Sequence, residues 1–126
     1  MNAGSRPRIA VLLGDPAGVG PEMGVKLLAR AQNAAAADLL LIAPPSVVAS
    51  GERIAKAKLD VLRLGPRDAL RFEPGRITYL VQDEPAGGVP PLGECSEAAG
   101  QAALHALATA TTLARDGAVQ GIVFAP

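Results

Sequence analysis

The chain has 126 residues, of which 49% are hydrophobic and 19% charged, so it can bury a core of its own without disulfides or metal. Its 12 basic and 12 acidic residues cancel, and no Lys/Arg cluster alternates with aromatic residues, which excludes the usual pattern of a nucleic-acid partner. The single cysteine excludes an internal disulfide, and no apolar run approaches the roughly 18 residues that a membrane span requires. We therefore expect a cytoplasmic protein with no membrane contact.

The first predicted unit is a strand, a loop and a helix. Residues 8–13 are continuously apolar after an arginine and predict a buried parallel strand. Residues 14–20 form a glycine-rich loop, and a helix is predicted over residues 21–32 because Pro21 suits a first helical position. Three apolar residues spaced four apart are expected to face the sheet: Met23, Leu27 and Ala31.

The middle of the chain continues the alternation of strands and helices. A buried strand is predicted over residues 39–43, and the prolines after it lead into a helix over residues 46–58. Residues 60–64 predict a short strand and residues 77–81 another, rich in β-branched and aromatic side chains. Residues 82–94 contain many Pro, Gly and acidic residues and predict an extended loop.

The last third predicts a long helix and a final strand. The helix runs over residues 96–116, with Ser96 as N-cap and Gly117 as the stop. Its apolar face is predicted from four residues: Leu104, Leu107, Thr111 and Ala114. Residues 121–124 predict a buried strand, and no helix follows it to complete a βαβ unit. We therefore expect the sequence to be the first part of a longer protein.

The segment GDPAGVGPE, from Gly14 to Glu22, is the most informative part of the sequence. It lies between a strand and a helix, where open α/β sheets bind ligands. Gly18 and Gly20 allow close backbone approach, the helix N-terminus offers amide donors to an anion, and Asp15 can accept a hydrogen bond from a hydroxyl. The residues alone leave a second interpretation open, a tight turn that needs glycines and binds nothing.

Two standard nucleotide motifs do not fit this segment. The Rossmann spacing requires glycine at position 23, where Met23 stands, and Gly24 comes one residue late. No Gly-Lys-Ser/Thr follows, as a P-loop requires. Neither fold is predicted.

The nine-residue block instead resembles the opening motif of the PdxA family, the 4-hydroxythreonine-4-phosphate dehydrogenases. A second similarity lies in the C-terminal third, where Gly93, Gly100 and Gly117 frame an alanine-rich helix before the segment at 121–126. In the family that segment ends in Thr-Ala-Pro or Thr-Gly-Pro, whereas this chain has Phe124 at the threonine position. The resemblance covers essentially the whole chain.

The resemblance implies a fold like that of isocitrate and isopropylmalate dehydrogenases, three-layer α/β/α and incomplete here, with residues 1–126 as the N-terminal part of a two-lobed homodimer. It implies oxidation, with decarboxylation, of 4-hydroxythreonine 4-phosphate for pyridoxal phosphate biosynthesis. NAD or NADP takes the hydride, and the ligands of the divalent metal ion lie beyond residue 126. Six residues are implied at the cofactor-binding cleft: Gly14, Asp15, Pro16, Gly18, Gly20 and Glu22.

Other functions stay open. Family relatives act on sugar-acid phosphates or on a terephthalate dihydrodiol, and a non-catalytic remnant or a small anion-binding module is also compatible with the residues. We expect no turnover by these residues alone, because the family's histidines and lysine lie further on.

Four further residues bear reactive groups. His105, the only histidine, is interpreted as a solvated helix residue and Cys95 as an inert thiol. Asp83 and Glu84 are interpreted as solvated loop residues, and no catalytic residue is predicted in the chain.

Overall fold

The computed structural model describes residues 6–125 and contains one sheet of five parallel strands in the order β3-β4-β2-β1-β5. The strands are β1 Arg8–Leu12, β2 Asp38–Ala43, β3 Val61–Leu64, β4 Ile77–Val81 and β5 Gly121–Phe124. The helices are α1 Gly20–Leu28, α2 Ala31–Ala36, α3 Pro45–Ala55 and α4 Glu97–Arg115. Within these described residues no helix is long and apolar enough to cross a membrane.

Side chains of successive strand residues point to opposite faces of the sheet, and both faces are covered. Leu41 of β2 packs in one core cluster with Val25 of α1 and Val48 of α3. The next residue, Ile42, packs in a second cluster with Ala106 of α4. Helices α1 and α3 therefore lie on one face and α4 on the other, which confirms the predicted three-layer α/β architecture.

Strand β1 lies between β2 and β5. Strands β2, β3 and β4 are added on one side of β1, and β5 is added on the other side. Val11 of β1 pairs with Leu41 on one side and with Val123 on the other. The chain leaves β1 towards β2, and only after β4 does it cross back to form β5. The carboxyl ends of β1 and β5 therefore form a topological switch point, where open α/β sheets bind ligands.

The helix predicted over residues 21–32 is two helices. Arg30 has an extended backbone, with φ −79° and ψ 115°, and separates α1 from α2. The side-chain amide of Asn33 donates to the carbonyl oxygen of Leu27 at 2.7 Å, which satisfies one acceptor at the end of α1. The prediction of one continuous helix was wrong because this local hydrogen bond favours the break.

The predicted inner face of α1 was right at Leu27, which packs partly buried against the core, but wrong at Met23 and Ala31. Met23 is 47% exposed, and Ala31 is exposed at the start of α2. The buried residues of α1 are mostly small: Gly20, Pro21, Gly24, Val25 and Leu28. A Cβ on Gly24 would overlap the side chain of Leu13, so α1 lies too close to the sheet for a side chain at that position.

Helix α4 has the predicted ends, and its predicted inner face was right at Leu107 and Ala114, which pack partly buried against the second core cluster, but wrong at the other two positions. The Ser96 hydroxyl accepts a hydrogen bond from the N–H of Ala99 at 3.2 Å, as an N-cap does. Leu104 is 67% exposed, contrary to prediction, and Thr111 is exposed. The fully buried positions of α4 are alanines: Ala99, Ala106 and Ala110. Close packing on the sheet selects alanine there, which a search for large apolar residues misses.

Two smaller predictions also need correction. Helix α3 ends at Ala55 rather than near Lys58, because Lys56 adopts a left-handed conformation with φ 54°. Strand β5 was predicted as buried, yet it is paired on the β1 side alone, and Val123 and Phe124 are 47% and 62% exposed.

Candidate functional site

The glycine-rich loop after β1 is shaped by its own hydrogen bonds. Gly14 has a positive φ of 70°, which favours glycine. One carboxylate oxygen of Asp15, Oδ1, accepts from the N–H of Ala17 at 2.8 Å, and the Asp15 carbonyl oxygen accepts from the N–H of Gly18 at 2.9 Å. Pro16 is buried beneath this turn. The loop therefore has a defined shape, and Asp15 forms part of it.

Glycine stands at positions 18 and 20 of the loop for different physical reasons. A Cβ on Gly20 would overlap the carbonyl oxygen of Leu13 and come within 3.1 Å of the Ala125 side chain, so the fold itself requires glycine there. A Cβ on Gly18 would meet only Asp15, at an ordinary 3.5 Å, and Gly18 is exposed. Gly18 is thus the glycine that the fold does not explain, and it lies where a ligand can approach.

The start of α1 leaves backbone donors available. The N-cap residue Val19 makes no side-chain capping bond, and Pro21 has no N–H to offer. The first-turn N–H groups of Gly20 and Glu22 have no acceptor within a helix, and the helix dipole favours an anion beside them. Glu22 forms a 3.0 Å ion pair with Lys26, which offsets its negative charge. This end of α1 can therefore accept an anionic group.

The long loop over residues 82–94 contacts the glycine loop. The N–H of Gly93 donates to the carbonyl oxygen of Ala17 at 2.7 Å. At its other end the Glu84 carboxylate accepts from the N–H of Ser46 at 2.9 Å and from the Ser46 hydroxyl, at the start of α3. Sequence reasoning gave this loop no role, and its contact with Ala17 carries no signal in the sequence.

The remaining candidate residues do not join the glycine loop. Asp83 is exposed, and the carboxylate of its neighbour Glu84 accepts a hydrogen bond from Ser46 of α3. Cys95 is exposed with a free thiol. His105 is exposed on α4, as expected, and it lines a separate cleft of about 290 Å³ near the end of β4. Residues distant in sequence form this cleft, so no motif could have identified it.

Tyr79 is a buried titratable group next to the sheet. Its hydroxyl donates to the carbonyl oxygen of Ala43 at 2.9 Å. Burial raises the pKa of Tyr79 to about 12, because the charged phenolate loses its hydration. Tyr79 therefore stays neutral at ordinary pH and acts in the core rather than in acid–base chemistry.

The resemblance implies that the ligands of the divalent metal ion lie beyond residue 126. No group of three or more His, Cys, Asp or Glu side chains in residues 6–125 is placed to hold a metal ion.

No family model matches the chain, but individual known proteins are similar to it. The chain is 31% identical over 118 residues to a 4-hydroxythreonine-4-phosphate dehydrogenase from Beijerinckia indica, covering 94% of this chain and 34% of that protein. It is 36% identical over 124 residues to a D-threonate 4-phosphate dehydrogenase from Bordetella bronchiseptica, covering 95% of this chain and 34% of that protein.

Solved structures agree with the sequence relatives. The 4-hydroxythreonine-4-phosphate dehydrogenase from Klebsiella pneumoniae superposes with a TM-score of 0.78 at 28% identity, over 96% of this chain and 37% of that one. The chain thus spans little more than a third of the length of the proteins it matches. Over nearly all of its length the chain is therefore similar to proteins named 4-hydroxythreonine-4-phosphate dehydrogenase.

Proposed function

We propose that this chain provides the cofactor-facing loop of an NAD-dependent dehydrogenase that oxidises 4-hydroxy-L-threonine 4-phosphate in pyridoxal phosphate biosynthesis. The names of the relatives support a dehydrogenase and a phosphorylated substrate. The observation that carries the proposal is the glycine loop at the switch point of the sheet, with exposed Gly18 beside the start of α1. Because the chain spans about a third of its relatives, the activity is proposed for the whole protein.

Each part of the loop has a proposed role. Gly18 lets a phosphate-bearing ligand approach the backbone, since a side chain there would occupy that space. The N–H groups of Gly20 and Glu22 donate to the anionic group, and the dipole of α1 favours its charge. The second carboxylate oxygen of Asp15 accepts from a ligand hydroxyl, while Gly14 and Pro16 hold the turn. When bound, NAD supplies the hydride acceptor.

Further properties of the whole protein are proposed from the family resemblance. The whole protein uses NAD or NADP as cofactor and holds a divalent metal ion through residues beyond 126. It is a homodimer and lies in the cytoplasm. We also propose that the protein has no nucleic-acid partner. A second candidate substrate is D-threonate 4-phosphate, since a relative named for it is 36% identical to this chain, as is a relative named for 4-hydroxythreonine 4-phosphate.

The loop assignment is tested by Gly18→Val in the protein expressed from the complete reading frame. We expect the KM for NAD to rise at least about tenfold with little change in kcat, because the valine blocks ground-state binding. Thermal unfolding should change little, since a Cβ at position 18 meets only Asp15, at an ordinary contact distance of 3.5 Å. Gly100→Ala, at an open position on α4, is the matched control. An unchanged KM for NAD in Gly18→Val contradicts the assignment.

The substrate is tested separately by NADH formation with and without added divalent metal. Faster turnover, as kcat/KM, with 4-hydroxy-L-threonine 4-phosphate than with D-threonate 4-phosphate supports the first candidate, and the reverse order supports the second. Activity with neither compound contradicts both.

A further inference from the structure

A second cleft lies on the opposite side of the sheet from α1 and α3, beside α4. It has a volume of about 290 Å³. Its apolar wall comes from the ends of β3 and β4, and its polar groups come from the end of β4 and from α4. The lining residues are Pro66, Leu80, Val81, Gln82, Asp83, His105 and Thr109. None of them belongs to the glycine loop.

Gln82 is the buried polar residue of this cleft, with 8% of its surface exposed. Its side-chain nitrogen Nε2 donates to the Thr109 hydroxyl oxygen at 3.2 Å. That hydroxyl donates its only proton to the carbonyl oxygen of His105 at 3.1 Å. Thr109 can therefore only accept from Gln82, which fixes the orientation of the Gln82 amide.

This orientation leaves the Gln82 carbonyl oxygen, Oε1, as an acceptor without a protein donor among residues 6–125. A side chain that is more than nine-tenths buried normally satisfies its polar atoms. Oε1 is not enclosed by protein, and its side chain lines the cleft. The acceptor is thus available to a ligand that donates a hydrogen bond.

The adjacent Asp83 adds negative charge at the mouth of the same cleft. Two acceptor groups, one of them anionic, favour a positively charged donor over an anion or a neutral acceptor. The apolar wall of Pro66 and Leu80 suits a short hydrocarbon chain next to that charge. We propose that this cleft binds a primary ammonium group carried on a short apolar chain, with Gln82 Oε1 and the Asp83 carboxylate as its acceptors.

The probe is radiolabelled n-butylammonium, measured by equilibrium dialysis against the protein expressed from the complete reading frame. Dialysis gives a binding constant whatever the assembly state of the chain. We expect saturable binding at one site per chain. Unlabelled butan-1-ol, which has the same chain length without the charge, should compete at least about tenfold more weakly.

Two variants test the assigned acceptors. Asp83→Asn removes the charge at an exposed position and should lower the association constant about tenfold, as should Gln82→Met, which removes the oxygen at similar volume. Asp116→Asn removes one exposed carboxylate outside the cleft and should change binding less than about twofold.

Circular dichroism checks that each variant is folded. If Gln82→Met is unfolded, Asp83→Asn decides alone. The proposal is overturned if butylammonium does not saturate, if butan-1-ol competes equally well, or if Asp116→Asn weakens binding as much as Asp83→Asn does. The test involves no dehydrogenase activity, so its result is independent of the function proposed for the glycine loop.

Discussion

Gly51 of α3 lies directly against Pro21 of α1: a Cβ at position 51 would come within 2.5 Å of the Pro21 carbonyl oxygen and 2.9 Å of a Val25 methyl group. Both helices cover the same face of the sheet, so α3 cannot move away from α1 without disturbing the core that they share. We expect Gly51→Ala to lower the free energy of unfolding by about 1–3 kcal/mol through overpacking. Urea denaturation followed by circular dichroism measures the change.

Gly100 of α4 provides the matched control for Gly51. It also lies in a helix, yet nothing is within 4 Å of a Cβ built there. Gly100→Ala should raise the free energy of unfolding by about 0.5–1 kcal/mol, because alanine has the higher helix propensity. Equal effects of the two substitutions would show that α1 and α3 are not packed so closely.

Lys56 ends α3 in a left-handed conformation, with φ 54°. A residue with a Cβ is strained in the left-handed region, whereas glycine is not. Lys56→Gly should therefore raise the free energy of unfolding by about 0.5–1 kcal/mol. Lys58→Gly, two residues later at an exposed position without positive φ, should bring no gain. Thermal unfolding of both variants against the parent measures the difference.

Ser96 caps α4 through its hydroxyl, which accepts from the N–H of Ala99. Ser96→Ala should lower the free energy of unfolding by about 1 kcal/mol, since that N–H loses its partner. Ser96→Asp should restore the stability, because aspartate also caps and its charge suits the helix N-terminus. If the alanine and aspartate variants unfold at the same temperature, the cap is not the cause.

Tyr79 gives a prediction for alkaline pH. Its pKa is raised to about 12 in the folded protein, against about 10 in an unfolded chain. Neutral Tyr79 therefore adds stability that is fully present below about pH 10 and is lost as pH rises towards 12. Tyr79 is the only tyrosine of the chain, so tyrosinate absorbance reports its titration alone. A midpoint near 10 in folded protein would contradict the burial of this hydroxyl.

The variant Tyr79→Phe separates the hydroxyl from the ring. The carbonyl oxygen of Ala43 keeps a second donor, the N–H of Gln82 at 3.1 Å, so the loss at neutral pH should be about 0.5–1.5 kcal/mol. Between pH 10 and 12 the difference from the parent should shrink, because the parent loses its own stabilisation there. A difference that stays constant through this range would contradict the assignment.

The strands could be predicted from the sequence, whereas the inner faces of the helices could not. Buried parallel strands are continuous apolar runs, and β4 begins and ends where it was predicted, at Ile77 and Val81. The inner faces of α1 and α4 include glycines and alanines that approach the sheet closely, while Met23 and Leu104 are exposed. Hydrophobic periodicity favours large residues, so it included these two exposed side chains and missed the small buried ones.

The position of the candidate site was predictable, because a glycine loop after the first strand lies at the end of a sheet. The separate reasons for glycine at positions 18 and 20 could not be predicted from the sequence. Gly20 is explained only by Leu13 and Ala125, and Ala125 lies at the other end of the sequence. The cleft beside α4 also depends on a contact between distant residues, Gln82 and Thr109, for which the sequence has no local signal.

The pairing of β1 with β5 has a consequence for synthesis on the ribosome. Ile9 pairs with Gly121 and Leu12 with Phe124, so one side of the first strand waits for residues made more than a hundred positions later. Until then its N–H and C=O groups form an open edge beside the glycine loop. Pairing over such sequence separation is slow, and the nascent chain is exposed to wrong partners in the meantime. We therefore expect one edge of β1 to stay unpaired until residue 124 has left the ribosome.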